Sequence, residues 1–152
     1  MATTAKALAG FCAIVGILTS AACGVAGVSR QTTISPDHPI IGSWRYVTPY
    51  EACVETYVFV PDGTRFYTSA QEQGQSRYEI SAEPTDGFYR ITDTVTQNNG
   101  LPDCGGGTVP AGDVVTLFVR FIPGQPLMVI CTDESGDACI GPFVRHDESM
   151  VQ

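Results

Sequence analysis

Lysine is almost missing from this chain. Its only copy is Lys6, and every later positive charge is an arginine, seven of them against sixteen acids. From Cys23 onward those seven arginines and sixteen acids leave a net charge of −9. A groove for phosphates needs clustered cations, so no nucleic-acid partner is expected. Without a lysine, the glycine-rich run Cys104-Gly105-Gly106-Gly107-Thr108 is no P-loop. Histidine is nearly as scarce, and both copies, His38 and His146, fall at the edges of the folded region. Edge positions hold proton-transfer geometry poorly. With no central histidine there is no Ser–His or Cys–His pairing, and Gly-x-Ser-x-Gly is absent. No catalytic residue is expected, and the chain reads as a non-enzyme. Metal ligands are short as well. No Cys-x-x-Cys spacing exists for zinc. Asp133, Glu134 and Asp137 share a hairpin tip but lack the alternating oxygen donors of a calcium loop. No metal or cofactor is expected.

Long apolar runs are confined to the start. Residues 1–22 carry Lys6 and no acid, and the uncharged run Leu8 to Leu18 is eleven residues long. A bilayer crossing takes about 20 apolar residues. A positive start, a short apolar core and small residues after it describe a secretory signal. Ser20 and Ala22 stand at −3 and −1 to a cut before Cys23. The tract Thr19-Ser20-Ala21-Ala22-Cys23 resembles the bacterial lipobox, with Ser20 where leucine is usual. That resemblance implies a signal peptide over 1–22 and an acyl group of the palmitate kind on Cys23. It also implies attachment to the cell envelope, facing the periplasm, through lipid alone. A soluble secreted protein, cut before Cys23 or after Gly27, is the alternative. With Cys12 discarded and Cys23 acylated, Cys53, Cys104, Cys131 and Cys139 remain. An even set in an exported chain reads as two disulfides, whereas an unlipidated Cys23 leaves a fifth thiol over.

Residues 23–39 are small, polar and proline-containing, a flexible tether before a domain over 40–148. From Ile40 onward the pattern is strands. Residues 41–47, 53–60, 64–70, 76–81, 88–96, 113–122, 126–132 and 138–145 are rich in β-branched and aromatic side chains. Turn signals separate them: Pro61-Asp62-Gly63, Glu72-Gln73-Gly74, Thr85-Asp86-Gly87, Pro123-Gly124 and Ser135-Gly136. In FYRITDTVT, Tyr89, Ile91 and Val95 share one face, and Arg90, Thr92, Thr94 and Thr96 the other. The fold class is all-β with about eight antiparallel strands. Short connections favour an up-and-down barrel, with a β-sandwich as the alternative. The long connection is 97–112, QNNGLPDCGGGTVPAG, which is functional or mobile at that length and stapled by Cys104. In CTDESGDAC a loop over Glu134-Ser135-Gly136 sets Cys131 opposite Cys139, within disulfide reach. Cys53 is then left for Cys104.

Gly42-Ser43-Trp44 at the head of this pattern resembles the Gly-x-Trp opening of the lipocalins. Phe59-Val60-Pro61-Asp62-Gly63-Thr64 is similar to a strand and turn of small bacterial lipocalin-like domains. The resemblance implies that Trp44 closes one barrel end and that Arg145, in Gly141-Pro142-Phe143-Val144-Arg145, lies over it. It departs from the family in its end: the seven residues after Arg145 are too few for the C-terminal helix expected of a lipocalin.

An eight-stranded barrel holds packed side chains or one small ligand. The expected lining is Tyr57, Phe59, Phe66, Tyr78 and Tyr89, with Arg120 or Arg90 at the mouth. Asp93 falls on the apolar face of its strand and needs a buried partner, for which Arg120 is the candidate. Two functions follow. One is an envelope protein holding a small apolar or amphipathic ligand, a lipid among the options. The other is a solid-cored module that binds or inhibits a basic protein through the acidic surface and loop 97–112. The expected intact mass of the mature protein corresponds to a chain starting at Cys23, heavier by its acyl groups and gaining four hydrogens on reduction. An unacylated chain with one free thiol counts against the anchor.

Overall fold

The computed structural model describes residues 33–49 and 53–146. The expected signal peptide, Cys23 and the tether as far as residue 32 lie outside the described residues, as do residues 147 and 148. Within the described chain, the turn residues and alternating side chains give eight strands. These are β1 (Gly42–Val47), β2 (Val54–Phe59), β3 (Thr64–Ser69), β4 (Glu72–Ile80), β5 (Tyr89–Asn98), β6 (Val114–Phe121), β7 (Leu127–Cys131) and β8 (Cys139–Arg145). Each pairs antiparallel with the next, and β8 returns to β1, so the sheet closes into an up-and-down barrel. The sandwich alternative is excluded. Closure is narrow: β1 and β8 share only Trp44↔Arg145 and Arg45↔Val144, whereas β1 and β2 pair along their whole length.

Period-two alternation decides which face is inside. On β5, Ile91, Asp93 and Val95 are buried while Thr92 and Thr94 are not. In β6, apolar side chains stand on both faces, Val115, Leu117, Val119 and Phe121 on one and Val114 and Phe118 on the other, and the packing selects Leu117, Val119 and Phe121 for the interior. Val119 is fully buried and its neighbour Arg120 is exposed. The turn expected at Glu72-Gln73-Gly74 lies instead within β4. The chain reverses at Ala70 and Gln71, with Ala70 at φ 51° and Ser69 paired to Glu72. Gly74 belongs in a strand because Tyr67, opposite it on β3, lies across the position. A Cβ there would run into the Tyr67 ring and the Gln97 carbonyl.

The apolar core occupies the middle and one end of the barrel. Trp44, Phe59, Tyr78, Ile91, Val119, Met128 and Phe143 fill it from the strands, and Ile34 and Ile40 enter from the preceding segment. The Ile34 amide donates to the Pro61 carbonyl at 2.8 Å. Residues 33–39, expected as the last part of a tether, therefore pack across this barrel end.

Both disulfides join the expected partners. Cys131 and Cys139 face one another across β7 and β8 with Cα atoms 3.9 Å apart, and Cys53 joins Cys104 with Cα atoms 5.8 Å apart. Two bridges are the mark of an oxidising, extracytoplasmic environment. They cross-link loops of very different length, 51 residues for Cys53–Cys104 and 8 for Cys131–Cys139. Chain entropy assigns about 4 kcal/mol to the longer loop and about 2.5 kcal/mol to the shorter. Urea denaturation of the two double Cys→Ser variants is expected to show the larger loss for Cys53 and Cys104. Equal losses would mean that native packing, not the unfolded chain, sets both values.

Candidate functional site

The two barrel ends differ in chemistry. At one end, Trp44 is 1% exposed and its indole Nε1 donates to the Ile40 carbonyl at 2.8 Å. The Arg145 guanidinium carbon lies 4.4 Å from the centre of the Trp44 ring. Arg145 also donates to the Ile41 carbonyl at 2.7 Å and to the Pro39 carbonyl at 2.5 Å. One side chain thus covers the tryptophan and ties down the segment that crosses the end. His38 completes the seal. Its Nδ1 accepts from the Ile40 amide at 3.2 Å, which fixes Nε2 as the protonated nitrogen, 3.3 Å from the Ser81 carbonyl. Tyr89 packs edge-on against His38 and Phe121.

The opposite end is hollow. A cavity of about 270 Å³ opens there, with Tyr57, Tyr67, Val95, Val109, Val115 and Ile140 among its walls. Glu55, Arg65, Ser69, Glu72, Asp93 and Asp103 supply its polar surface. The long loop after β5 roofs it. Glu72 is buried at the start of β4, and its Oε1 accepts from Asn98 Nδ2 at 2.6 Å and from the Val109 amide at 3.0 Å. The Pro102 carbonyl accepts from the amides of Gln71 and Glu72. The Cys104 amide donates to Ser69 Oγ, and its sulfur is bonded to Cys53. Asp103 Oδ1 accepts from the Gly105 and Gly107 amides, which turns the glycine run back on itself.

The cavity floor is an ion pair inside an aromatic clamp. Arg65 Nη2 lies 2.6 Å from Asp93 Oδ2, and Arg65 Nε donates to Ser76 Oγ at 3.0 Å. The guanidinium carbon stands 5.0 Å from the centre of the Tyr57 ring and 4.8 Å from that of Tyr67. Asp93 is 1% exposed, yet neither carboxylate oxygen has a partner with hydrogen-bond geometry. Oδ2 is held by the Arg65 charge, and the Ser76 hydroxyl stands near the carboxylate without full hydrogen-bond geometry. Burial raises the Asp93 carboxyl above its usual range, while Arg65 and the nearby Ser76 hydroxyl pull it back. Tyr57 donates to Glu55 Oε2 at 2.8 Å, and burial, together with the Glu55 charge, holds its hydroxyl far above the usual range. It therefore stays a donor.

Of the lining expected from sequence, Tyr57 alone borders this cavity. Phe59 and Tyr78 point inward but belong to the packed core, where their rings meet edge-on at 5.1 Å. Tyr89 is part of the sealed end. Phe66 is 47% exposed on the outer face, because β3 turns Arg65, Tyr67 and Ser69 inward. Arg90 is also exposed. Arg120 is corrected on two counts: it stands on the outer face, 4.3 Å from the centre of the Phe88 ring, and Asp93 pairs with Arg65 instead. Arg65, Tyr67, Glu55, Glu72 and Asp103 were missed. Gly74 was the available signal for Tyr67, since a glycine facing an aromatic across a hairpin marks where the ring folds inward. Comparison with protein-family models, curated proteins and solved structures found no match.

His38 gives the sealed end a pH dependence of known sign. Burial lowers its pKa below the ordinary 6.5, with the Ser81 carbonyl and Glu83 opposing. The unfolded chain then takes up the proton first, so stability falls as pH drops through 6.5 and is lost fully below the folded value. Asp93, raised in the fold, contributes the opposite sign at lower pH. The urea midpoint is expected to fall between about pH 7.5 and 5.5. His38→Gln is expected to flatten that fall, and an identical slope in the variant removes His38 as its source.

Proposed function

We propose that this chain is an exported, lipid-anchored, lipocalin-like barrel that holds a small amphipathic molecule in the cavity at its open end. The observation that carries the reading is the asymmetry of the interior. One end is filled by packed side chains, with a concavity of about 530 Å³ only on the outer side of the segment that closes it, while the other keeps about 270 Å³ unfilled beneath a loop fixed by a disulfide. A polar floor below apolar walls suits a ligand with a polar head and a short hydrocarbon body. Trp44 under Arg145 supports the lipocalin-like assignment, and the two disulfides accord with export. The lipobox-like tract ending at Cys23 supports the anchor and the envelope location. The unfilled volume favours a ligand over the solid-cored module that would bind a basic protein.

An amide-shift titration of the ¹⁵N-labelled protein with cationic, neutral and anionic phenyl compounds tests this. Perturbation is expected around Tyr57, Tyr67, Val95 and Val109. Val95→Phe, which fills the cavity, is expected to weaken binding by roughly tenfold or more. Shifts confined to the outer face, or none with any compound, overturn ligand binding.

A further inference from the structure

We propose that the cavity selects a small organic cation, a primary ammonium that donates to Asp93 Oδ1. This deepens the ligand-binding reading and rests on it. The first ground is a hydrogen-bond deficit. Asp93 is buried on the cavity wall, and its Oδ1 has no donor. A buried acceptor without a donor is costly, and a ligand that supplies one recovers that cost. Arg65 does not supply it: its Nη2 holds Oδ2, its Nε serves Ser76, and its guanidinium lies over Tyr57 and Tyr67, while the nearby Ser76 hydroxyl falls short of hydrogen-bond geometry.

Charge decides which donor fits. Glu55, Glu72, Asp93 and Asp103 border the cavity, against Arg65 as the one cation among its described lining residues. An anion reaching for the unused N–H groups of Arg65 would sit among those carboxylates. A neutral hydroxyl would satisfy Oδ1 but gain nothing from the surrounding negative field. An ammonium gains both, and in a partly desolvated site a charge-assisted hydrogen bond is roughly twice as strong as a neutral one. A bare metal ion is a poorer fit. Among the described residues, no three His, Cys, Asp or Glu side chains converge as metal ligands. The volume sets the size. At about 270 Å³ the cavity lies just below the ~300–1,000 Å³ of ordinary ligand pockets, so the amine is small. Val95 and Val109 give its hydrocarbon body apolar walls.

The test is calorimetric titration of the full mature chain with benzylamine, benzyl alcohol and benzoate, which share one ring and differ in charge. Benzylamine is expected to bind at least about tenfold more tightly than either of the others. Asp93→Asn is expected to erase that preference, weakening benzylamine at least about tenfold, with near-ultraviolet circular dichroism confirming the fold. Glu55→Gln keeps an acceptor for Tyr57 and avoids the buried ion pair, so it serves if the first variant does not fold. It is expected to weaken benzylamine by about threefold. Benzyl alcohol or benzoate binding as tightly as benzylamine overturns the ammonium assignment and leaves ligand binding standing. Absence of binding by all three overturns both.

Discussion

Arg65 is a buried cation in the middle of a barrel, and the rest of the interior is arranged around keeping it there. A guanidinium taken from water needs a counter-charge and hydrogen-bond acceptors, or it is strongly destabilising. Asp93 supplies the charge from β5, Ser76 an acceptor from β4, and Tyr57 and Tyr67 the two aromatic faces. Four strands therefore converge on one side chain. Breaking such a pair by removing one partner typically costs about 3–5 kcal/mol, because the survivor is left buried and uncompensated. The pair also divides the interior. Toward Trp44 the space is filled with apolar side chains, and toward Glu72 it is polar and partly empty.

The sealed end and the hollow end are stabilised by different means. At the sealed end, Arg145 stacks on Trp44 and bonds the carbonyls of Pro39 and Ile41, so a short segment of chain becomes a plug. That contact also stands at the seam where β8 meets β1 in only two registered pairs. A weak seam is thus reinforced by side chains rather than by backbone ladder. At the hollow end there is little apolar burial to hold the long loop. A disulfide, a buried glutamate and the Asp103 turn do so instead.

The fold was largely legible because its signals are local. Alternation in FYRITDTVT set the inside of β5, turn residues placed most of the reversals, and the CTDESGDAC hairpin set Cys131 against Cys139. The site was less legible because it depends on a choice between faces that local pattern does not make. On β3 the sequence TRFYTS offers Phe66 on one face and Arg65 with Tyr67 on the other, and hydrophobicity alone favours the wrong one. The arginine face wins because Asp93, twenty-eight positions later, must be neutralised inside the closed barrel. β6 posed the same choice, and there burial of Val119 sends Arg120 outward to cover Phe88. The need of Asp93 for a cation was readable; which arginine met it was a question of register across strands.

That dependence on register explains why the cavity lies where it does. Tyr67 folds inward because Gly74 yields the space opposite it, and Asn98 donates to both its hydroxyl and Glu72. Glu72 in turn accepts from Val109, so the roof of the cavity is bonded to the same network that clamps Arg65. A larger residue at position 74 would displace Tyr67, expose one face of the guanidinium and loosen the loop together. Floor and roof are therefore one polar construction built into an otherwise apolar barrel. Asp93 is the point at which that construction remains unsatisfied, and it borders the cavity beneath the loop.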